Sequence, residues 1–74
     1  HISRGAKLVK LADKICNLRD ILASPPDWPL KRKKEYFDWA ASVVQGLRGV
    51  HPELETVFDG VYARAGELAL FEPA

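Results

Sequence analysis

The chain has 74 residues, of which 47% are hydrophobic and 28% charged, and its formal net charge is +1. This apolar share is too high for a disordered chain, and the small net charge does not favour nucleic acid or a membrane surface as a partner. The single cysteine excludes an internal disulfide and is typical of a reducing compartment, so we expect a small cytoplasmic domain.

The first predicted helix contains the longest periodic segment of the chain, from Ala6 to Leu22. Apolar residues recur there at steps of three and four, which is the pattern of one helix face packed against partners. They are Leu8, Leu11, Ile15, Leu18 and Leu22. Ser3 is a suitable N-cap, and the prolines after Ser24 stop the helix. The prediction is a helix from about Arg4 to Ala23.

Two further helices follow a stiff, proline-rich loop. The second is predicted to begin near Pro29 and to end at Gly46 and Gly49. The third is predicted to begin at His51 and Pro52 and to end at Gly66, unless the last residues prolong it by two turns; otherwise those residues fray. The predicted buried stripes are Tyr36, Phe37, Ala40, Val43, Val44 and Leu47 in the second helix, and Leu54, Val57, Phe58, Val61, Tyr62 and Ala65 in the third. No segment shows strand alternation, so the predicted fold class is all-α.

Three polar residues border the apolar face of the first helix: Asp13, Asn17 and Asp20, at i, i+4 and i+7. A carboxylate in this position is expected to be semi-buried and to need a cation, a metal or a donor. One interpretation is a metal-binding or phosphate-handling edge, with Asp13 as an oxygen ligand. The other is an ordinary polar border paired with lysines. The spacing alone favours the border, because one helix supplies too few ligands for a closed metal site.

Trp28, Arg32 and Tyr36 recur at steps of four along the start of the second helix, beside the basic run KRKK at positions 31–34. An indole, a guanidinium and a phenol on one face can stack on a base and pair with a phosphate. The lysines of the run would strengthen the field for an anion. The alternative is a solvated basic helix start in which Trp28 and Tyr36 anchor the core, and the pattern does not decide between the two.

The remaining candidates have simpler interpretations. Cys16 lies on the apolar arc and is predicted to be a small core residue. His1 and His51 are not at ligand spacing, and His51 is expected to act as a cap or loop residue. Trp39 and Tyr62 are predicted to be packing residues. No serine or cysteine forms a nucleophile–histidine set, and there is no glycine-rich phosphate loop.

The run GAKLVKLADKICNLRDIL at positions 5–22 resembles the last conserved segment of the His-Asp (HD) superfamily hydrolase domain in RelA/SpoT proteins. More closely, it is similar to the small metazoan-SpoT-homologue type of (p)ppGpp hydrolase. The similarity continues through PPDWPLKRKKEYFDWAASVVQGLRG at positions 25–49 and covers most of the chain. Three segments in this order form a combination that is specific to this family: KLADKICNLRD, EYFDWA and VVQGL.

The resemblance implies an all-α bundle in which three helices form the C-terminal portion of an HD domain. It also implies an enzyme that uses Mn²⁺ to remove the 3′-pyrophosphate from guanosine tetra- and pentaphosphate, with NADPH as a further associated substrate. By motif match, Asp13 corresponds to a metal-ligating aspartate and Asn17 to an asparagine beside the substrate. Trp28, Arg32 and Tyr36 correspond to residues that line the nucleotide pocket.

The chain also departs from the family pattern. Nothing in it matches the upstream histidine, the His-Asp pair or the acidic catalytic residues that follow the pair, so residues 1–74 are interpreted as part of one HD-type domain. A lone carboxylate should not hold Mn²⁺ tightly, and we expect little or no hydrolysis by this chain alone. The alternative is a helical module that acts through self-association or protein binding without catalysis, with the first helix as the contact element.

Overall fold

The computed structural model describes residues 3–71, with side chains described for residues 3–69; His1 lies outside this range. Helix α1 spans Arg4–Ala23, α2 spans Leu30–Gln45 and α3 spans Pro52–Tyr62, and a 3-10 helix, Ala63–Phe71, follows α3 directly. No strand occurs within residues 3–71, so the all-α prediction is confirmed. None of the helices in this range is both long enough and apolar enough to cross a bilayer.

Both ends of α1 are fixed by the residues that predict them. At the start, the Ser3 hydroxyl accepts a hydrogen bond from the backbone N–H of Ala6, at 3.1 Å. At the end, Ser24 leaves helical geometry and its N–H donates to the carbonyl of Asp20, at 2.8 Å. The prolines that follow cannot donate to the helix, so the chain turns away there.

The core is built on one strip of α1, which packs against α2, α3 and the 3-10 helix. Each large side chain on this strip stabilises the fold by about 1.5–3 kcal/mol through removal from water. The buried apolar residues of α1 are Leu11, Ile15, Leu18, Ile21 and Leu22, and those facing them include Phe37, Ala40, Val44, Phe58, Val61 and Leu68. The predicted stripes of α2 and α3 therefore form the opposite side of the core, except that Val57 of the α3 stripe is 37% exposed, so its predicted burial is wrong.

The buried strip of α1 is narrower than the apolar arc of the sequence. Val9 is 69% exposed, and Cys16 is exposed, so the prediction that Cys16 is a core residue is wrong. The partner helices cover only the sector of α1 around Leu18, and residues about 100° or more away from it face solvent.

A polar turn joins α2 to α3. Gly49 has φ +90°, a left-handed conformation that favours glycine. The Glu55 carboxylate, only 9% exposed as a residue, accepts from the N–H groups of Gly49 and His51 at 3.0 Å each. His51 in turn caps α3, because its Nδ1 accepts from the N–H of Leu54 at 3.1 Å. The predicted capping role of His51 is therefore confirmed.

The end of the third helix differs from the expectation that Gly66 stops it, and the predicted prolongation occurs in another geometry. The α-helix ends at Tyr62, and the chain continues through Gly66 in the tighter 3-10 geometry as far as Phe71. Because a 3-10 helix has three residues per turn, the direction of its side chains differs from that of a continued α-helix. Leu68 is fully buried in this segment and completes the core beside α3.

Candidate functional site

A surface pocket of about 440 Å³ lies where α1, the proline-rich loop and α2 meet. Its lining residues are Asn17, Asp20, Ile21, Ser24, Pro26, Trp28 and Tyr36. Three of the predicted substrate-binding residues, Asn17, Trp28 and Tyr36, are thus brought to one pocket from three different segments. The pocket combines aromatic and apolar walls with a small number of polar groups, which is typical of small-molecule sites.

Asp13 lies one helical turn before Asn17 and next to the pocket rather than in its lining. The Asn17 side-chain amide donates to Asp13 Oδ2 at 3.4 Å, and Lys14 Nζ lies 3.7 Å from the same oxygen. The Asp13 side chain is 60% exposed, so the expectation of a semi-buried carboxylate is wrong. It is wrong because α1 buries the sector around Leu18, and Asp13 lies outside that sector.

The described residues do not form a metal site on their own. Within residues 3–71 no group of three or more His, Cys, Asp or Glu side chains is placed to hold a metal ion. Asp13 offers one carboxylate, and the neighbouring Asn17 offers an amide oxygen. Mn²⁺ usually takes several oxygen or nitrogen ligands, so these two groups do not fit a complete Mn²⁺ site.

The loop and the first turn of α2 place Trp28, Arg32 and Tyr36 together. The N–H of Trp28 donates to the carbonyl of Pro26 at 2.8 Å, and the N–H of Arg32 donates to the carbonyl of Pro29 at 3.0 Å. The Arg32 guanidinium carbon lies 4.6 Å from the centroid of the Trp28 ring. The Trp28 and Tyr36 rings are 5.9 Å apart and inclined by 51°, and both side chains are half-buried against the core. The three side chains therefore lie together as predicted, although Trp28 comes from the loop before α2 and not from the helix itself.

The contact between the Trp28 and Tyr36 rings extends to a third aromatic residue, which the sequence did not predict to belong to this site. Tyr36 and Trp39 have centroids 5.6 Å apart, and Lys14 Nζ lies 4.5 Å from the centroid of the Trp39 ring. Trp39 is 52% exposed, so it packs on Tyr36 and Lys14 at the surface rather than in the core. Its position three residues after Tyr36 was the signal that these rings share a face.

The basic run contributes less surface charge than its composition indicates. Lys33 is only 4% exposed, whereas Lys31, Arg32 and Lys34 are exposed. The expectation that Lys33 adds to a solvent-facing field is therefore wrong. Arg32 has no carboxylate at ion-pair distance among the side chains of residues 3–69, so its N–H groups are available to an anion.

A separate charged network lies between α2 and α3, away from this pocket. The Arg48 guanidinium donates to both oxygens of Asp59, at 3.2 and 2.6 Å. This hydrogen bonding lowers the pKa of Asp59 and raises the pKa of Arg48. Nearby, the Tyr62 hydroxyl donates to Asp38 at 2.8 Å, which raises the pKa of Tyr62. Because these groups satisfy one another, they hold the two helices together.

Comparison with known proteins points to one class, nucleotide phosphohydrolases. The chain is 49% identical over 67 residues to human guanosine-3′,5′-bis(diphosphate) 3′-pyrophosphohydrolase MESH1. The zebrafish MESH1 is 46% identical over 67 residues, and the Drosophila MESH1 is 45% identical over 64. No protein-family model and no solved structure matches the chain.

These matches cover most of this chain but a minority of each relative. The human alignment includes 89% of this chain and spans 37% of the length of the relative. Identity at this level over nearly the whole chain shows that the chain is homologous to part of the MESH1 proteins. The resemblance carried by KLADKICNLRD, EYFDWA and VVQGL is therefore confirmed.

Proposed function

We propose that this chain supplies the nucleotide-binding part of a metal-dependent phosphohydrolase that removes the 3′-pyrophosphate from guanosine tetra- and pentaphosphate. The observation that carries the proposal is that Asn17, Trp28 and Tyr36, all matched to substrate positions of the family, line one pocket. The substrate class is supported by the names of the MESH1 relatives. A reducing, cytoplasmic setting and NADPH as a second substrate belong to the same proposal.

The aromatic and basic side chains have complementary tasks in this proposal. The inclined rings of Trp28 and Tyr36 give a base or ribose two apolar surfaces. Arg32, held over the indole, presents N–H donors to a phosphate with less loss of side-chain freedom than an unrestrained arginine. Stacking on the indole does not consume these donors, because it engages the flat face of the guanidinium.

On α1, Asn17 and Asp13 act as a pair. The Asn17 amide N–H group is directed to Asp13, which leaves the Asn17 carbonyl oxygen to accept from the substrate. Asp13 is the one carboxylate that we assign to the Mn²⁺ of the family domain. Since the described residues do not form a complete metal site, the remaining ligands would come from outside residues 3–71. We therefore expect this chain alone to bind nucleotide with little or no turnover.

The proposal is tested by titrating the isotopically labelled chain with guanosine 3′,5′-bisdiphosphate and recording amide spectra by NMR. The Trp28 indole N–H and the Asn17 side-chain amide should shift, whereas the side-chain amide of Gln45, at the far end of α2, should not. Arg32→Met should weaken binding about tenfold, the loss of one charge-assisted contact. The control Lys34→Met removes an equal charge from an exposed position of the same helix and should change affinity about twofold or less.

Two results would contradict the proposal. One is a folded chain whose Trp28 and Asn17 signals do not respond to the nucleotide. The other is an equal loss of affinity for the Arg32 and Lys34 variants, which would indicate general attraction between charges rather than a site.

A second candidate is a helical module that self-associates. The observation that favours it is the exposure of three large apolar side chains, Val9 on α1, Trp39 on α2 and Val57 on α3. Exposed apolar residues of this size are found at protein interfaces, although scattered ones are also normal on monomers. Light scattering at micromolar concentration separates the two: a dimer that Trp39→Ala dissociates supports this candidate, and a monomer excludes it at that concentration.

A further inference from the structure

Asp20 lines the pocket but has no task in the proposed function. Its backbone carbonyl accepts from Ser24, which ends α1, whereas its carboxylate has no hydrogen-bond or ion-pair partner among the side chains of residues 3–69. The carboxylate therefore presents unpaired acceptor oxygens at the edge of a pocket that also has polar groups, Asn17 and Ser24, and apolar walls, Ile21, Pro26 and the two aromatic rings.

The pocket has two chemically different ends along α1. Asp13, Asn17 and Asp20 lie within one narrow sector of the helix, because positions i, i+4 and i+7 differ by only a few tens of degrees. At 1.5 Å per residue, Asp20 lies about 10.5 Å along the axis from Asp13. The pocket lining includes Asp20 and Ser24 but not Asp13, so Asp20 lies at the end with the aromatic walls.

Charge determines which part of a nucleotide can occupy each end. An unpaired carboxylate repels phosphate, so the phosphates are disfavoured beside Asp20. The base is the part of the ligand that matches the apolar and aromatic walls. In a nucleoside carrying a 3′-diphosphate, the base and the 3′-phosphates lie on opposite sides of the ribose. The base at Asp20 thus directs the 3′-diphosphate toward Asn17 and Asp13.

We propose that Asp20 is the residue that selects guanine, an inference that rests on the proposed function. Guanine presents two adjacent donors, N1–H and the exocyclic N2–H₂, and a carboxylate can accept from both at once. Adenine presents a lone pair at N1 in the same position, which the carboxylate repels. Asp20 therefore favours guanosine over adenosine nucleotides, so NADPH, the second substrate of the proposal, should bind more weakly than guanosine 3′,5′-bisdiphosphate.

The inference is tested by measuring the affinity of the 74-residue chain for guanosine 3′,5′-bisdiphosphate and for its adenosine and xanthosine counterparts. The unchanged chain should prefer the guanosine form over the adenosine form by about tenfold, the size of one good base-edge contact. Asp20→Asn should lose this preference and gain relative affinity for the xanthosine form, because an amide offers one donor and one acceptor, which match xanthine O2 and N1–H.

The matched control is Asp27→Asn, which makes the same change of charge at an exposed loop residue that does not line the pocket. It should leave the order of preference unchanged. Circular dichroism of Asp20→Asn should show an unchanged helical signal, since the Asp20 side chain is exposed and makes no described contact.

The outcomes separate this inference from the proposed function. If Asp20→Asn binds the three nucleotides in the same order as the unchanged chain, Asp20 does not select the base, while nucleotide binding itself stands. If the folded chain binds none of the three, the proposed function fails and the inference fails with it. If Asp20→Asn reverses the order of the guanosine and xanthosine affinities and Asp27→Asn does not, the result supports both the inference and the proposed function.

Discussion

The turn between α2 and α3 depends on one buried carboxylate, and its removal gives a sharp test of the structure. Glu55 accepts from the N–H groups of Gly49 and His51, and its Oε1 also lies 3.8 Å from Arg48 Nη1. No other described acceptor satisfies these N–H groups of the turn. Glu55→Ala would therefore leave two partly buried donors without their partner.

The expected cost follows from these contacts. Hydrogen bonds to a charged group contribute about 1.5–3 kcal/mol each, and the two act on one side chain, so we expect a loss of about 3 kcal/mol in the free energy of unfolding for Glu55→Ala. A domain of this size is stable by only about 4 to 11 kcal/mol, so the loss is a large fraction of the total. Glu55→Gln keeps one acceptor oxygen and should lose about 1–2 kcal/mol.

Urea and thermal unfolding followed by far-UV circular dichroism measure this effect. Glu55→Ala should lower Tm by more than about 10 °C. The matched control is Glu53→Ala in the same first turn of α3, where an exposed carboxylate interacts only with the helix dipole and should contribute less than about 1 kcal/mol. Equal losses for Glu55→Ala and Glu53→Ala would refute the reasoning, because the buried contacts would then have no special weight.

Three further predictions concern the core, the charged network and the turn. Leu18→Ala should cost about 2–5 kcal/mol in chemical unfolding, whereas Val9→Ala on the same helix should be nearly neutral, and similar losses would contradict the assigned core. Arg48 lowers the pKa of Asp59, so this pair stabilises the fold above the ordinary carboxyl pKa and the contribution is lost as pH falls through the lowered value. Asp59→Asn should therefore flatten the acid side of the Tm-versus-pH curve, with less than about 1 kcal/mol lost at neutral pH, and an unchanged curve would argue against the ion pair. Gly49→Ala should cost about 1–2 kcal/mol by thermal unfolding because of the left-handed backbone, and a stability gain would exclude the positive φ.

The helices could be predicted from the sequence because their determinants are local. Ser3 and the prolines after Ser24 fix the ends of α1, and His51 caps α3 within one turn. The face shared by Arg32 and Tyr36 follows equally from their spacing on α2, whereas Trp28 lies in the loop before Leu30 and joins this face from there. These features depend on backbone geometry and on neighbours in the chain, so an isolated sequence contains the necessary information.

The errors concern burial, which depends on partners far away in the chain. The burial of Cys16 and Asp13 is predicted from the angular width of the apolar arc of α1. That width does not reveal which sector of α1 the other helices cover. Lys33 could have been recognised as buried, because it lies four residues before Phe37 and seven before Ala40, on the same stripe of α2. The change to 3-10 geometry after Tyr62 has no signal in the sequence that we can identify.

The pocket itself needed the tertiary structure. Asn17 and Asp20 lie on α1, Trp28 lies in the proline-rich loop and Tyr36 lies on α2. Only the packing of α1 against α2 brings them to one place. The family resemblance matched four members of this region to substrate, but it did not indicate Asp20. The spacing along α1 placed Asp20 on the polar border of the helix, but only the structure placed it in the lining of the pocket.

The central claim is that this chain contributes the nucleotide-binding part of a (p)ppGpp hydrolase, and its most direct test is a chimera. The matched 67 residues of human MESH1 would be replaced by those of this chain, and hydrolysis of guanosine 3′,5′-bisdiphosphate would be measured with Mn²⁺. We predict turnover by the chimera, its loss with Asp13→Ala and little or no turnover by the 74-residue chain alone. A folded chimera without activity, or one whose activity survives Asp13→Ala, would contradict the account.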